Sequence, residues 1–254
     1  MGESVEWLKK QVDSMSLNEK LFEIFWGEDR VVFGALINHS GDEPDVFTLG
    51  TIYDSIYDLH TKIRFSFYSA TECNLSESLV NYNPFALAAA NEKIAEYFVE
   101  NMAFRTGSIW DLLAQLYNEL WRVKTHIDKL YYTAFFHNAA QGKHGSATAK
   151  KIYDYLVEDD EIGDDTVRWK GNHAYAKQYR DQMTHRNSPN ISTLSPFSTE
   201  LRDPAVFALK RITEDYLQAV EFVQEAVDEI STYLSAHPLF ETTEQGTEIK
   251  KCRQ

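Results

Sequence analysis

Between Val206 and Leu234, apolar side chains return every third or fourth residue: Val206, Leu209, Ile212, Tyr216, Val220, Val223, Val227, Ile230 and Leu234. A second stripe of the same spacing runs through Ile109, Leu112, Leu116, Leu120, Val123, Ile127, Leu130 and Ala134, ending near Gly142. At 3.6 residues per turn the two stripes span about eight and about seven turns. That period gives a helix one apolar face, whereas a strand would alternate. Neither face can be buried by its own helix. The spacing therefore predicts an all-α, up-and-down helical bundle built on two very long amphipathic helices. With only 11 Gly and 6 Pro in 254 residues, the chain also lacks the turn residues that a many-stranded architecture needs.

Shorter elements fill the rest. Asp203–Pro204 caps the last helix, and His237–Pro238 stops it. Asn83–Pro84 predicts the start of a helix running to about Arg105, where Thr106-Gly107-Ser108 breaks it and caps the next. Leu49, Ile52, Tyr53, Ile56, Leu59, Ile63 and Phe67 mark an earlier helix, and Ser16 with Glu19 forms a capping box before Leu21 and Ile24. Residues 30–38 read equally as helix or buried strand. Further helices are expected over 147–157 and 172–186, separated by the acidic run EDDEIGDD. The expected organisation is an N-terminal helical extension (1–80) packed on a bundle (81–237), followed by a polar, loose tail (238–254). No strand pair is expected.

The formal net charge of -14 repels nucleic acid and anionic lipid, so any RNA contact must use a local basic patch. Two cysteines, Cys73 and Cys252, supply neither a disulfide framework nor a CxxC metal or redox pair. MGESVEWLKK has no apolar secretory core, and no apolar run approaches the roughly 20 residues that span a bilayer. A cytoplasmic location, without membrane contact, is the expectation.

The segment RWKGNHAYAKQYRDQMTHR (168–186) departs from this acidic background. It holds Arg168, Lys170, Lys177, Arg180 and Arg186 against Asp181 alone, a local charge of +4 (5 − 1). Either it neutralises acidic neighbours or it receives an anion. Inside it Arg180 precedes His185 by five positions. Arg180 is a permanent cation whose planar fork suits a phosphate, and His185 exchanges protons near neutrality. Asp181 lies four residues before His185, on the same helical face, and can orient its imidazole. Arg180 and His185 themselves stand roughly 140° apart around a helix axis, so their convergence requires the helix to end near His185. Lys170, Lys177 and Arg186 are the accompanying phosphate-binding candidates. Arg168 and His173 repeat the spacing, but Trp169 replaces the polar second residue and Gly171 interrupts the helix, so this pair is set aside.

His60, His126 and His137 fall on expected helices, yet no ExxH or HExxH accompanies them, and no metal or other cofactor is expected. Tyr131, Tyr132, Phe135 and Phe136 read as core rather than as a stacking platform for bases. No GxxxxGK[ST], GxGxxG or GxSxG occurs.

An Arg-[polar]-x-x-x-His run at the end of a helix, followed by a loop and a long final helix, resembles the HEPN superfamily over roughly residues 84–236. The resemblance implies a homodimer with two such motifs in one cleft and a metal-independent endoribonuclease activity in RNA processing or defence. It also implies roles for His185 in proton transfer, Arg180 on the phosphate and Asp181 in geometry. Asn187 stands where some members carry a Tyr that toxin–antitoxin pairs modify. The alternative is a non-catalytic interaction bundle in which Arg180 makes a structural ion pair.

Overall fold

A computed structural model of the chain describes residues 2–17, 44–73, 75–80, 82–142, 146–160, 169–185, 187–195, 199–236, 240–243 and 246–249. The described part is an all-α bundle. Its helices are α1 (Gly2–Ser14), α2 (Val46–Thr71), α3 (Leu75–Val80), α4 (Ala90–Leu120), α5 (Tyr132–Gln141), α6 (Ser146–Leu156), α7 (Asn172–His185) and α8 (Ala205–Ala236). Three antiparallel ribbons accompany them, none of them expected from the sequence. They are β1 (Asp159–Asp160) with β2 (Trp169–Lys170), β3 (Thr193–Leu194) with β4 (Thr199–Glu200), and β5 (Phe240–Thr243) with β6 (Gly246–Ile249). The last ribbon lies in the tail read as loose. Four cross-strand pairs, Phe240↔Ile249 to Thr243↔Gly246, give that tail regular structure.

The 32-residue α8 follows the stripe that predicted it: Leu209, Ile212, Tyr216, Val220, Val223 and Ile230 are all buried. It packs against the 31-residue α4, which also lies along α2, while α5 and α6 pair and α7 fits between α4 and α8. Trp110, Tyr117, Tyr216, Phe136 and Phe222 fill the centre, each at most 1% exposed. A fully buried side chain of this size stabilises the fold by about 1.5–3 kcal/mol before entropy is counted. α1 and α2 contribute Leu8, Val12, Leu49 and Ile56 to the same core. Asp45 caps α2 through Oδ1, which accepts from the amides of Phe47 (3.0 Å) and Thr48 (3.4 Å).

The boundaries of α4 correct the sequence reading in three places. Asn83–Pro84 starts no helix: the Asn83 side chain accepts from the Phe85 amide (2.9 Å) and closes a local turn, and α4 begins at Ala90. Thr106-Gly107-Ser108 breaks nothing, because α4 runs through it. The break falls instead at 121–131, where Arg122 and Lys124 adopt left-handed φ of 52° and 61°. Asn118 clamps this turn by donating to the Thr125 carbonyl (3.0 Å) and accepting from the Thr125 amide (2.9 Å). The apolar spacing that seemed to continue the helix is fortuitous past Leu120. Val123 is 40% and Ile127 55% exposed.

Between α7 and α8, Asn190 and Arg202 fasten the chain to α4. Arg202, buried, reaches Glu92 (3.0 Å) and Glu96 (3.5 Å). Asn190 donates to Glu100 (2.7 Å), and the Tyr82 hydroxyl donates to the Arg202 carbonyl. The Ser16–Glu19 capping box and residues 30–38 lie outside the described residues apart from Ser16, which follows the end of α1.

Candidate anion-binding groove

α7 is polar on average, and its first turn is set by Gly171. The Gly171 amide donates to the Glu158 carbonyl (3.0 Å), and a Cβ there would lie 2.3 Å from that oxygen. Only glycine permits the approach, so the residue that discredited the Arg168/His173 pair is the hinge from which α7 starts. Positions 173, 177 and 180 then form one face. His173 points inward, Lys177 is exposed and Arg180 lies between these extremes.

His173 is 4% exposed and belongs to a buried polar network. Its Nδ1 lies 3.2 Å from Asp215 Oδ1, and its Nε2 lies 3.1 Å from the Tyr132 hydroxyl. Asp215 also accepts from the Tyr155 hydroxyl (3.1 Å) and the Trp110 indole (3.3 Å). With Nδ1–H donating to the carboxylate, Nε2 keeps its lone pair for the Tyr132 proton, which fixes one tautomer. Burial pushes the Tyr132 phenol up to about 12, against the pull of the nearby Arg180 charge. The network spans α4, α5, α6, α7 and α8 and immobilises the floor beneath Arg180. No local pattern announces it: His173 and Asp215 are 42 positions apart.

Arg180 lies across α4 at Gly107. A Cβ at Gly107 would come within 2.2 Å of Nη1 and 3.2 Å of Cζ. The helix thus accepts glycine's propensity cost of about 1 kcal/mol at the one site where the guanidinium needs backbone-level clearance. The Arg180 side chain is 23% exposed, with Asp181, 51% exposed, at 3.6 Å.

Arg180 and Lys177 form the cationic wall of a groove of about 770 Å³. α4 adds Asp111, whose carboxyl desolvation pushes up while Arg180 pulls it down. The same groove is lined by Ile127, Leu130 and Tyr131 from the connector and by His137 and Tyr153. The His137 and Tyr153 rings are 4.8 Å apart, and Gln141 Nε2 lies 3.0 Å from His137 Nε2. A second groove of about 610 Å³, on the other side of Lys177, is lined by Asp159, Asp181 and Glu200. Three carboxylates repel an anion there, so an anion belongs beside Arg180.

Of the residues singled out from sequence, Arg180 and Lys177 share this groove and Asp181 faces the acidic one. α7 stays helical through His185 and ends there, the condition set for the pair to converge. The His185 and Lys170 side chains and all of Arg186 and Arg168 lie outside the described residues. The three histidines weighed as metal ligands have separate partners. His60 is buried against the Tyr216 hydroxyl (2.7 Å), and burial first, then Arg64, lowers it to about 4. His126 caps the 3-10 turn at Ile127–Lys129, and His137 lines the groove. Among the described residues no group of three or more His, Cys, Asp or Glu could hold a metal ion. Tyr132, Phe135 and Phe136 are core as expected, but Tyr131 is 70% exposed.

No helix among the described residues is long and apolar enough to cross a membrane. The chain matches no family model, no curated protein and no solved structure.

Proposed function

We propose that the protein is a HEPN-like, cytoplasmic, metal-independent endoribonuclease that acts as a homodimer and holds an RNA phosphate against Arg180. The observation that carries this reading is the seat of Arg180: a guanidinium laid over Gly107, backed by a rigid network, at the edge of an open groove that Lys177 also lines. A fixed fork of donors stabilises the charge that develops on a phosphodiester in the transition state. The ribose 2′-oxygen attacks phosphorus and the P–O5′ bond breaks, leaving a 2′,3′-cyclic phosphate and a 5′-hydroxyl. One proton leaves the 2′-hydroxyl and one arrives at the 5′-oxygen. His185, the final residue of α7, is the proton carrier of this proposal, with Asp181 one turn before it as orienting carboxylate. Lys170 and Arg186 extend the phosphate contacts.

The test is incubation of mixed RNA with purified protein in excess EDTA. The wild type is expected to cleave, and R180A and H185A are expected to lose about 10²–10³-fold in rate, the usual cost of one transition-state donor or proton carrier. Intact RNA with the wild type, or equal cleavage by all three, overturns the proposal.

Gly107→Ala separates role from stability. The added Cβ displaces the guanidinium without removing it, and helix propensity compensates by about 1 kcal/mol. Cleavage is expected to fall as far as in R180A, while the urea midpoint moves by less than about 1 kcal/mol equivalent.

The second reading, a non-catalytic interaction bundle, draws on Arg180 being only 23% exposed and near Asp181. It requires R180A to leave RNA chemistry unchanged, with a stability loss of no more than about 1 kcal/mol, since the partner Asp181 is half-exposed.

A further inference from the structure

The groove beside Arg180 has apolar and aromatic lining residues as well as cations, and the former have no part in the proposed chemistry. We infer that Tyr131, flanked by Ile127, forms a seat for one unpaired nucleobase beside the Arg180 phosphate seat. The inference rests on the RNA reading above and adds a binding subsite to it. Single exposed apolar residues are ordinary on protein surfaces. What sets these two apart is that Tyr131, 70% exposed, and Ile127, 55% exposed, line the same groove as Arg180 and Lys177, on a connector held by its own hydrogen bonds. Asn118 clamps Thr125, His126 caps the turn, and the amides of Leu130 and Phe135 donate to the carbonyls of Ile127 (3.1 Å) and Tyr131 (2.8 Å). The aromatic face is therefore presented at low entropic cost, as a stacking platform requires.

Charge and size favour the same occupant. Lys177 and Arg180 line the groove together with Tyr131 and Ile127, so the matching ligand combines an anion with an apolar, flat group. A volume of about 770 Å³ suits one or two nucleotides and no duplex, whose bases are hidden in the stack. The net charge of -14 removes the unspecific attraction on which most RNA binders rely. Two local cations must then be supplemented by stacking.

The probe is a fluorescein-labelled single-stranded 2′-O-methyl oligoadenylate, which lacks the nucleophilic hydroxyl and survives the enzyme. Anisotropy titrations in EDTA compare wild type, Y131A, Y131F and R180A, with the same strand annealed to its complement as control. Tyr131 makes no side-chain cap bond to α5, so Y131A is expected to keep the wild-type thermal midpoint. Its affinity for the single strand is expected to fall about 5- to 150-fold, the range that loss of one stacked base implies, while Y131F stays within about 2-fold because the ring is kept. Duplex binding, weaker throughout, is expected to be indifferent to Tyr131. If R180A weakens binding and Y131A does not, the base seat is wrong and the phosphate seat stands. If neither variant changes binding, both fall. Equal Tyr131 dependence on vesicles of anionic phospholipid overturns the nucleobase assignment.

Discussion

Asp215→Ala is expected to cost about 3–5 kcal/mol of stability, the range for breaking a buried hydrogen-bonded charge network by removing one member. The carboxylate is 1% exposed and serves three donors at once: Trp110 and Tyr155 side chains and the His173 ring. Removing it strands all three where water does not reach, and each buried orphan costs about 1–3 kcal/mol. Asp215→Asn is expected to lose less, about 1–2 kcal/mol. Its carbonyl oxygen can still accept from Tyr155 and His173, and only Trp110 then faces a second donor. Equilibrium urea unfolding of the three proteins decides the matter: the order wild type, Asn, Ala is required. A loss below about 1 kcal/mol in the Ala variant would mean that the five-helix network is not formed as described. The same variants bear on the groove, because the imidazole that meets the Tyr132 hydroxyl loses the carboxylate that orients it. RNA cleavage by Asp215→Asn at a temperature where it is folded reads that coupling.

What could be read from the sequence, and what could not, follows from where each signal resides. α8 was legible because its stripe is uninterrupted and Asp203–Pro204 marks its start, both local properties. α6 and α7 were legible for the same reason. Gly107 was misleading. Read by propensity it breaks a helix, yet its purpose is a tertiary one, clearance for Arg180 from a helix 73 positions on (180 − 107). Val123 and Ile127 misled in the opposite sense, extending an apolar stripe beyond the point where Asn118 and two left-handed residues turn the chain. At the candidate site, Arg180 and Lys177 were found by their charge. His173 was set aside with Arg168 on account of Trp169 and Gly171, and its partners, Tyr132 and Asp215, lie 41 and 42 positions away, where nothing local marks either. His137 and Tyr131 were weighed as a metal ligand and as core. Their place on the groove depends on the connector's geometry, which no periodicity encodes.

The ion cluster of Arg202 with Glu92 and Glu96 should make stability fall between about pH 4.5 and pH 7 and then level off. Glu96 is 7% exposed, and burial foremost, then the neighbouring Glu92, raises its carboxyl to about 7, with Glu100 acting in the same direction and Arg202 and Lys93 opposing. Arg202 is the single buried cation shared by Glu92 and Glu96, so two ionised glutamates leave a net negative charge in the interior. The sign follows from proton binding. Between the unfolded value of about 4.5 and the folded value of about 7, the folded state holds a proton that the unfolded state has released. Raising the pH through that window therefore favours unfolding. At about 1.4 kcal/mol per unit the full effect is about 3–4 kcal/mol. Glu96→Gln, which keeps the shape and cannot ionise, is expected to match the wild type near pH 4.5 and exceed it by about 3–4 kcal/mol at pH 8. Urea unfolding at half-unit steps of pH measures both curves. Parallel curves for the two proteins would show that Glu96 ionises in the fold as it does in the open chain, and that Arg202 neutralises both carboxylates after all. A flattened curve for the variant alone would identify Glu96 as the group that loosens the strap over α4 as pH rises.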